Sequence, residues 1–330
     1  MQKLRWGVLS TAKIARTKVI PAIQTSVLGE VVAIASRTQE IADKAAKELG
    51  IKHAYASYEA LLADPNIDAI YNPLPNHLHV PWSIKAIEAG KHVLCEKPLG
   101  LNAADVEKLI KVAQQYPQLN VMEAFMYRFH PQWQTAKNIV RDGGIGKVRS
   151  IHSHFAYNNH ELDNIRNNVE WGGGALMDIG CYCISLARFI YDAEPSRVLG
   201  QITPFAGFDV DCFVSGILEF ETGNTTFTAS TKSEPEQYAE IHGELGSILI
   251  PLPFNPIADT VTHIIVKREG ITEEIVQTPS DHYRNMADAF AENITSKIAA
   301  PTPLSDALAN MKIIDAIFAS AKDSQWVAIN

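Results

Sequence analysis

Short apolar runs that alternate with helical stretches fill the first third of the chain, and few architectures accept that pattern. Residues 4–9, 31–36, 68–72, 92–95 and 119–122 are runs of the kind a parallel sheet buries on both faces. Between them, residues 38–49 carry Ile41, Ala42, Ala45, Ala46 and Leu49 at helical spacing and stop at Gly50. Residues 81–89 stop at Gly90 in the same way, and residues 102–115 open on Asn102, a side chain suited to an N-cap. Strands and helices of these lengths make βαβ units, and right-handed crossovers wind them into a doubly wound α/β sheet.

The pattern changes after about residue 124. A helix over 129–141 ends at Gly143-Gly144, a strand over 148–157 leads into an irregular stretch, and a second helix follows the run Gly172-Gly173-Gly174. Strands are then expected at 198–203, 210–219, 224–231, 239–242, 247–250, 262–267 and 273–277, several joined by glycine-centred turns. Helices near 282–296 and 305–322 close the chain. The expected organisation is a Rossmann-type NAD(P)-binding domain over 1–124 and an α+β domain over 125–330, the latter built on one large, mostly antiparallel open sheet. That second domain is expected to bind substrate and carry the oligomer contact. A chain of 330 residues is long enough for two cores.

Charge and cysteine usage exclude several classes. With 37 acidic and 29 basic side chains the net charge is −8, which gains nothing from phosphate counterion release, so nucleic acid is not an expected partner. No run of about 18 apolar residues is present, and the first residues lack the pattern of a signal peptide. Cys95, Cys181, Cys183 and Cys212 do not make a disulfide framework, and a cytoplasmic protein without membrane contact is expected. Cys181-x-Cys183 and His77-x-His79 are only pairs, so no metal site is assigned.

Two groups of residues point to chemistry. The first strand runs into Gly7-Val8-Leu9-Ser10-Thr11-Ala12-Lys13-Ile14-Ala15, where a dinucleotide fold brings pyrophosphate to a helix N-terminus. Glycines are scarce there, but Ser10, Ala12 and Ala15 are small, and the Ser10 and Thr11 hydroxyls can donate to phosphate. The second strand ends in Ser36-Arg37-Thr38 rather than in an acid, which favours the 2′-phosphate of NADP, with NAD as the alternative. Glu96-Lys97-Pro98 follows the fourth strand, at the sheet edge where ligands sit, and a partly desolvated lysine there can serve proton transfer. In Gly172-Gly173-Gly174-Ala175-Leu176-Met177-Asp178-Ile179-Gly180-Cys181-Tyr182, Asp178 and Tyr182 are four apart and share a helix face. A lysine cation near a phenol lowers its pKa, so Tyr182 and Lys97 can form one proton-transfer unit. A structural tyrosine with a satisfied hydroxyl remains the other reading. Asp281-His282-Tyr283 opens a late helix, either as its cap or as a group reaching a ligand.

Glu96-Lys97-Pro98 after the fourth strand and Gly-Gly-Gly-x-Leu-x-Asp-x-Gly-x-Tyr in the second domain resemble the Gfo/Idh/MocA oxidoreductase family over nearly the whole chain. The resemblance implies a Rossmann domain followed by an α+β domain whose open sheet forms a homodimer or homotetramer. It implies that Lys97 assists catalysis, that Glu96 lies near the nicotinamide ribose and that a cis peptide bond precedes Pro98. Tyr182, where many members carry His, resembles the branch of glucose–fructose oxidoreductase, dimeric dihydrodiol dehydrogenase, NADP-dependent xylose dehydrogenase and sugar-nucleotide 3-ketoreductases. The stretches Glu123-Ala124-Phe125-Met126-Tyr127-Arg128-Phe129-His130-Pro131 and Asn164-Ile165-Arg166 are similar to that branch too. By that likeness Tyr182 is the acid/base, Asp178 orients the substrate, and Arg128 and Arg166 line its site. Asn72, Pro73, Asn76, His77 and His79 form the loop that approaches the cofactor. The implied activity is NADP-dependent hydride transfer on a sugar or sugar-like alcohol or carbonyl, an aldose such as xylose or glucose being favoured. Dihydrodiol oxidation and sugar-nucleotide ketoreduction are the alternatives, and a non-catalytic NAD(P)-binding regulator is a further one.

Overall fold

The computed structural model describes residues 3–329, so Met1, Gln2 and Asn330, at the ends of the two expected domains, lie outside the described residues. The first unit is built on a six-stranded sheet in the order β3-β2-β1-β4-β5-β6, parallel throughout. Its strands are β1 (Leu4–Leu9), β2 (Gly29–Ala35), β3 (His53–Tyr55), β4 (Ala69–Asn72), β5 (His92–Cys95) and β6 (Val121–Glu123). The intervening helices are α1 (Ile20–Gln24, reached through a π-turn over Ala15–Val19), α2 (Gln39–Leu49), α3 (Tyr58–Leu62), α4 (Asn76–Glu88) and α5 (Ala103–Ala113). The strand order reverses between β1 and β4, which fixes the ligand crevice of such a sheet at their carboxyl ends. The expected cap at Asn102 is in place, its Oδ1 accepting from the Asp105 N–H, and Thr38 Oγ1, at the first residue of the expected helix, accepts from the Ile41 N–H in the same way. Helix α4 differs from the expectation. Pro81 lies inside it rather than opening it, and the helix starts at Asn76, directly after Pro75.

The second unit carries a nine-stranded sheet in the order β14-β13-β12-β11-β7-β10-β9-β8-β15. Its elements in chain order are α6 (Pro131–Arg141), β7 (Val148–Asn158), α7 (Cys181–Tyr191), β8 (Arg197–Thr203), β9 (Phe213–Glu219), β10 (Asn224–Ser230), β11 (Lys232–Gly243), β12 (Gly246–Ile250), β13 (Thr262–Arg268) and β14 (Ile271–Gln277). Helix α8 (His282–Thr295) follows, then α9 (Leu304–Asp323) and the short edge strand β15 (Val327–Ala328). β7 pairs in parallel with β10 and antiparallel with β11. Burial alternates along β9 and β10, so one face is core and the other faces outward. α7 is buried on all sides from Cys181 to Arg188. α9 lies so near β8 that a Cβ on Gly200 would come within 2.7 Å of Ile317.

One boundary corrects the expected division. Residues 281–308 belong to the first unit, which spans 1–126 and 281–308, and not to the second, which spans 127–280 and 309–330. α8 turns Met286, Ala287, Phe290 and Ala291 inward, and Phe290 packs on Trp6 of β1 with ring centroids 5.7 Å apart. Ser26 and Asp288 are hydrogen-bonded across the same contact. Amphipathic spacing predicts that such a helix covers a sheet; it carries no mark of which sheet. Among the described residues, no helix is long and apolar enough to cross a membrane.

Candidate functional site

At the carboxyl end of β1 the chain turns through Ser10, whose φ of 78° is the left-handed conformation that glycine ordinarily supplies. Its N–H donates to Ala35 O at 3.0 Å and its Oγ accepts from the Ala12 N–H at 3.2 Å. Ala12 and Ala15 follow at the start of the helix, and Ala15 is fully buried. The three small residues therefore leave the backbone open at a helix N-terminus, the arrangement that accepts pyrophosphate. Gly7 serves packing instead. It lies inside β1, and a Cβ there would stand 2.8 Å from Leu61 Cδ2, so its bare backbone makes room for α3.

At the end of β2, Ser36 is buried with its N–H on Tyr55 O, and Thr38 caps α2. Arg37 between them is exposed and forms no ion pair with another described residue. Its charge acts on Tyr58, offsetting part of the upward push that burial gives that phenol. No carboxylate occupies the place where an NAD ribose would be held, and the guanidinium is uncommitted. This edge suits the 2′-phosphate of NADP.

The turns after β4 and β5 are tied to each other by buried polar groups. Asn72 is fully buried, with Nδ2 donating to His79 O at 3.1 Å and to Ser83 Oγ at 3.2 Å, and Oδ1 accepting from the Leu74 N–H at 3.3 Å. His79 places Nδ1 2.8 Å from Pro98 O and Nε2 2.6 Å from Leu74 O. Each ring nitrogen faces a carbonyl, and burial outweighs those two contacts and holds the imidazole pKa down at about 4, so the neutral ring donates to one of them. His79 is a brace for the loop. Pro73 is buried, while Asn76 and His77 are half-buried at the start of α4.

Lys97 and Pro98 are joined by a cis bond. Glu123, from β6, fixes the same turn by accepting the Leu99 N–H at 2.7 Å. Glu96 accepts from the Tyr71 hydroxyl at 2.6 Å. Burial first and the Glu96 charge second push the phenols of Tyr71 and Tyr283 upward, which sets Glu96 between β4 and the start of α8. Lys97 is half-buried beside it. Asp281 is the cap, accepting from the Tyr283 N–H at 2.9 Å, while Tyr283 approaches Glu96.

In the second unit the glycine run has a steric cause. A Cβ on Gly173 would lie 2.5 Å from Arg166 O, and one on Gly174, at φ 116°, 1.9 Å from Asp211 Oδ1. The run lets the Arg166 loop and Asp211 close over the start of the helix. Asp211 accepts from the Ala175 N–H through its carbonyl and from the Leu176 N–H through Oδ2 at 2.6 Å. Burial raises its carboxyl pKa to about 7 against these backbone bonds. A π-turn over Leu176–Gly180 then carries Asp178 and leads into α7 with Tyr182.

Asp178 Oδ2 takes the Tyr157 hydroxyl at 2.6 Å and Arg166 Nε at 2.9 Å. The Asp178 charge is the first cause raising the Arg166 pKa, and Tyr182 contributes to the same rise, so its phenol lies within electrostatic reach of that guanidinium. Tyr182 is buried against Phe155, Tyr127 and Phe254, with ring centroids 5.4 to 5.9 Å apart. Asp178, Tyr182 and Arg166 are therefore brought together. Arg128 is buried, its Nη2 donating to Ser185 Oγ at 2.8 Å and its guanidinium carbon 5.5 Å from the Phe189 ring centroid, so it braces α7.

Sequence reasoning missed Tyr157, Asp211 and Tyr71. Each sits in or beside a strand where it reads as ordinary sheet composition. The partner of Tyr157 is 21 residues away and that of Asp211 is 35, so no local spacing marks either.

Two family models match the chain: "Oxidoreductase family, NAD-binding Rossmann fold" over residues 4–125 and "GFO/IDH/MocA C-terminal domain" over residues 133–249. An uncharacterized oxidoreductase of Rhizobium meliloti is 40% identical, with 100% of both chains covered. A D-xylose 1-dehydrogenase (NADP(+)) of Haloferax volcanii is 36% identical over 99% of this chain and 100% of its own. Among solved structures, a 3-ketoreductase from Actinomadura kijaniata with NADP and TDP-benzene superposes with a TM-score of 0.90. It is 30% identical and covers 97% of this chain and 98% of its own.

Proposed function

This chain belongs to the Gfo/Idh/MocA family of oxidoreductases, and from that membership we propose that it is an NADP-dependent sugar oxidoreductase whose substrate is an aldose such as xylose or glucose. The observation that carries the reading is the array on the π-turn ahead of Tyr182. Arg166 and Asp178 offset each other's charge, and their donors and acceptors suit neutral hydroxyl groups. The full-length likeness to a xylose dehydrogenase supports the same substrate class. Uncommitted Arg37 beside Ser36 supports NADP over NAD, and the Ser10 turn with Ala12 and Ala15 supports pyrophosphate.

The bound cofactor supplies a hydride acceptor or donor at nicotinamide C4. The chain's own residues handle the proton. Tyr182 takes it from the sugar hydroxyl in oxidation and returns it in reduction, and Lys97 assists as a cation. Asp178 and Arg166 orient the sugar. Glu96, held by Tyr71, would lie on the ribose side of the bound cofactor, and Asn72 and His79 keep the loop around Pro73, Asn76 and His77 in shape. Arg128 supports α7 from beneath.

We further infer a homodimer or homotetramer formed through the outward face of the nine-stranded sheet, where His152, His154, Ser215, Thr228 and Tyr238 line a shallow depression. The four cysteines are buried and form no disulfide with one another, which fits work in the reducing cytoplasm.

The test is NADPH formation from NADP across a panel of aldoses and dihydrodiols, with NAD and keto-sugar reduction in parallel. Turnover of an aldose with NADP is expected. Turnover confined to sugar nucleotides or to dihydrodiols would replace the substrate class, and tight NADP binding with no turnover would favour a regulator.

A further inference from the structure

The Asp178 carboxylate is fixed by two donors on a single oxygen, and one of them comes from the sheet rather than from the motif that carries Asp178. Tyr157 stands near the end of β7, half-buried, and its hydroxyl donates to Oδ2 at 2.6 Å. Arg166 Nε reaches the same oxygen at 2.9 Å from the loop that Gly173 and Gly174 let close. The two donors approach from different elements, so together they fix where the carboxylate plane lies as well as its distance. The carboxylate is mostly buried, with 13% of its side-chain surface exposed, whereas the Arg166 side chain is 42% exposed. Tyr157 is carried by the long strand β7, whereas Arg166 is carried by a short turn over Ile165–Asn167, so the tyrosine holds the oxygen from the more regular element.

We propose that Tyr157 is a positioning residue for the sugar-binding carboxylate, holding Asp178 in the orientation in which it meets a substrate hydroxyl. The proposal rests on the functional reading above, in which Asp178 orients the sugar. A phenol that merely packed in the sheet would have no need to end on that oxygen. Phe155, two residues earlier on the same strand, packs as a ring without a hydroxyl and stacks on Phe254 with centroids 5.1 Å apart.

The experiment is a double-mutant cycle on Tyr157→Phe and Asp178→Asn, read as steady-state kinetics with the aldose that the panel identifies. Tyr157→Phe keeps the ring and removes only the donor. Its expected effect is a rise of about tenfold in KM for the sugar, with kcat and the KM for NADP changed much less, the size of one lost hydrogen bond to a charged group. In the Asp178→Asn background the same substitution is expected to change the sugar KM less than about twofold, because there is no charge left to hold. Tyr157→His, which retains a ring and an N–H donor, is expected to recover part of the loss and also serves if the phenylalanine variant folds poorly. A sugar KM unchanged by Tyr157→Phe, or an equal loss in both backgrounds, overturns the proposal. If Asp178→Asn alone leaves sugar KM and turnover intact, the functional reading of Asp178 fails instead. If no sugar is turned over, the cycle is read on melting temperature at pH 7. Coupling between the two substitutions supports the hydrogen bond as a positioning device, and independent effects overturn it.

Discussion

The carboxyl edge of the six-stranded sheet and the helix face above β7 solve different problems with polar side chains. At the sheet edge the side chains serve mainly the backbone: Ser10 Oγ takes an N–H, Asn72 and His79 bind carbonyls, and Glu123 takes the Leu99 N–H, while Tyr71 on Glu96 and Asn72 on Ser83 are side-chain pairs. On the helix face side chain meets side chain, as Tyr157 and Arg166 do on Asp178. Bonds to backbone give shape, which persists through many substitutions and suits a ligand shared by many enzymes. Bonds between side chains give functional groups, which one substitution can redirect. On the proposed function the first kind serves the cofactor and the second the substrate.

Glycine substitutions offer the sharpest way to break that contrast. Gly174→Val adds a Cβ where 1.9 Å separates it from Asp211 Oδ1, at a φ of 116°, and is expected to destabilise the protein by more than about 3 kcal/mol. Urea unfolding measures it; an unchanged midpoint would mean the glycine run is not sterically required.

Next is pH. The raised carboxyl of Asp211, about 7 in the folded protein against an ordinary 3.8, means that the folded state holds more protons than the unfolded state between those values. Its contribution to stability is therefore full below about pH 4 and is lost as pH rises through about 7. Asp211→Asn is expected to flatten that part of the melting-temperature profile, and an unaltered slope would remove Asp211 as its source.

At the cofactor edge, Arg37→Ala is expected to raise the KM for NADP by about 10- to 100-fold and to leave the KM for NAD unchanged. Equal changes for both would mean that Arg37 does not read the 2′-phosphate. The smallest effect belongs to Ser10→Gly. Relief of the positive φ is offset by loss of the bond to the Ala12 N–H and by a freer unfolded chain, so stability should stay within about 1 kcal/mol of wild type. A large loss would show that the Ser10 side chain, and not backbone shape, is what this turn depends on.

The two regions are also unequally legible in the sequence. The alternating periods mark five of the six strands of the first sheet, because buried parallel strands are written in contiguous residues. The three-residue β3 and the short α3 carry too few residues to show a period. The Asp178–Tyr182 spacing and the Glu96-Lys97-Pro98 turn are readable, since each is local. The bracing by His79 and Arg128 is not, because commitment of a side chain to a distant carbonyl or serine leaves no trace in nearby sequence. Tyr157 and the return of α8 to the first sheet escape for the same reason: both are defined by long-range partners.

The most direct test of the proton-handling pair compares Tyr182→Phe and Lys97→Ala with wild type in two assays, NADPH binding by fluorescence and aldose turnover with NADP. Binding within about threefold of wild type is expected, with turnover reduced by about 10²- to 10⁴-fold in both variants. Turnover that survives either substitution while binding is intact would contradict the assignment, because the proton would then be handled by some other group.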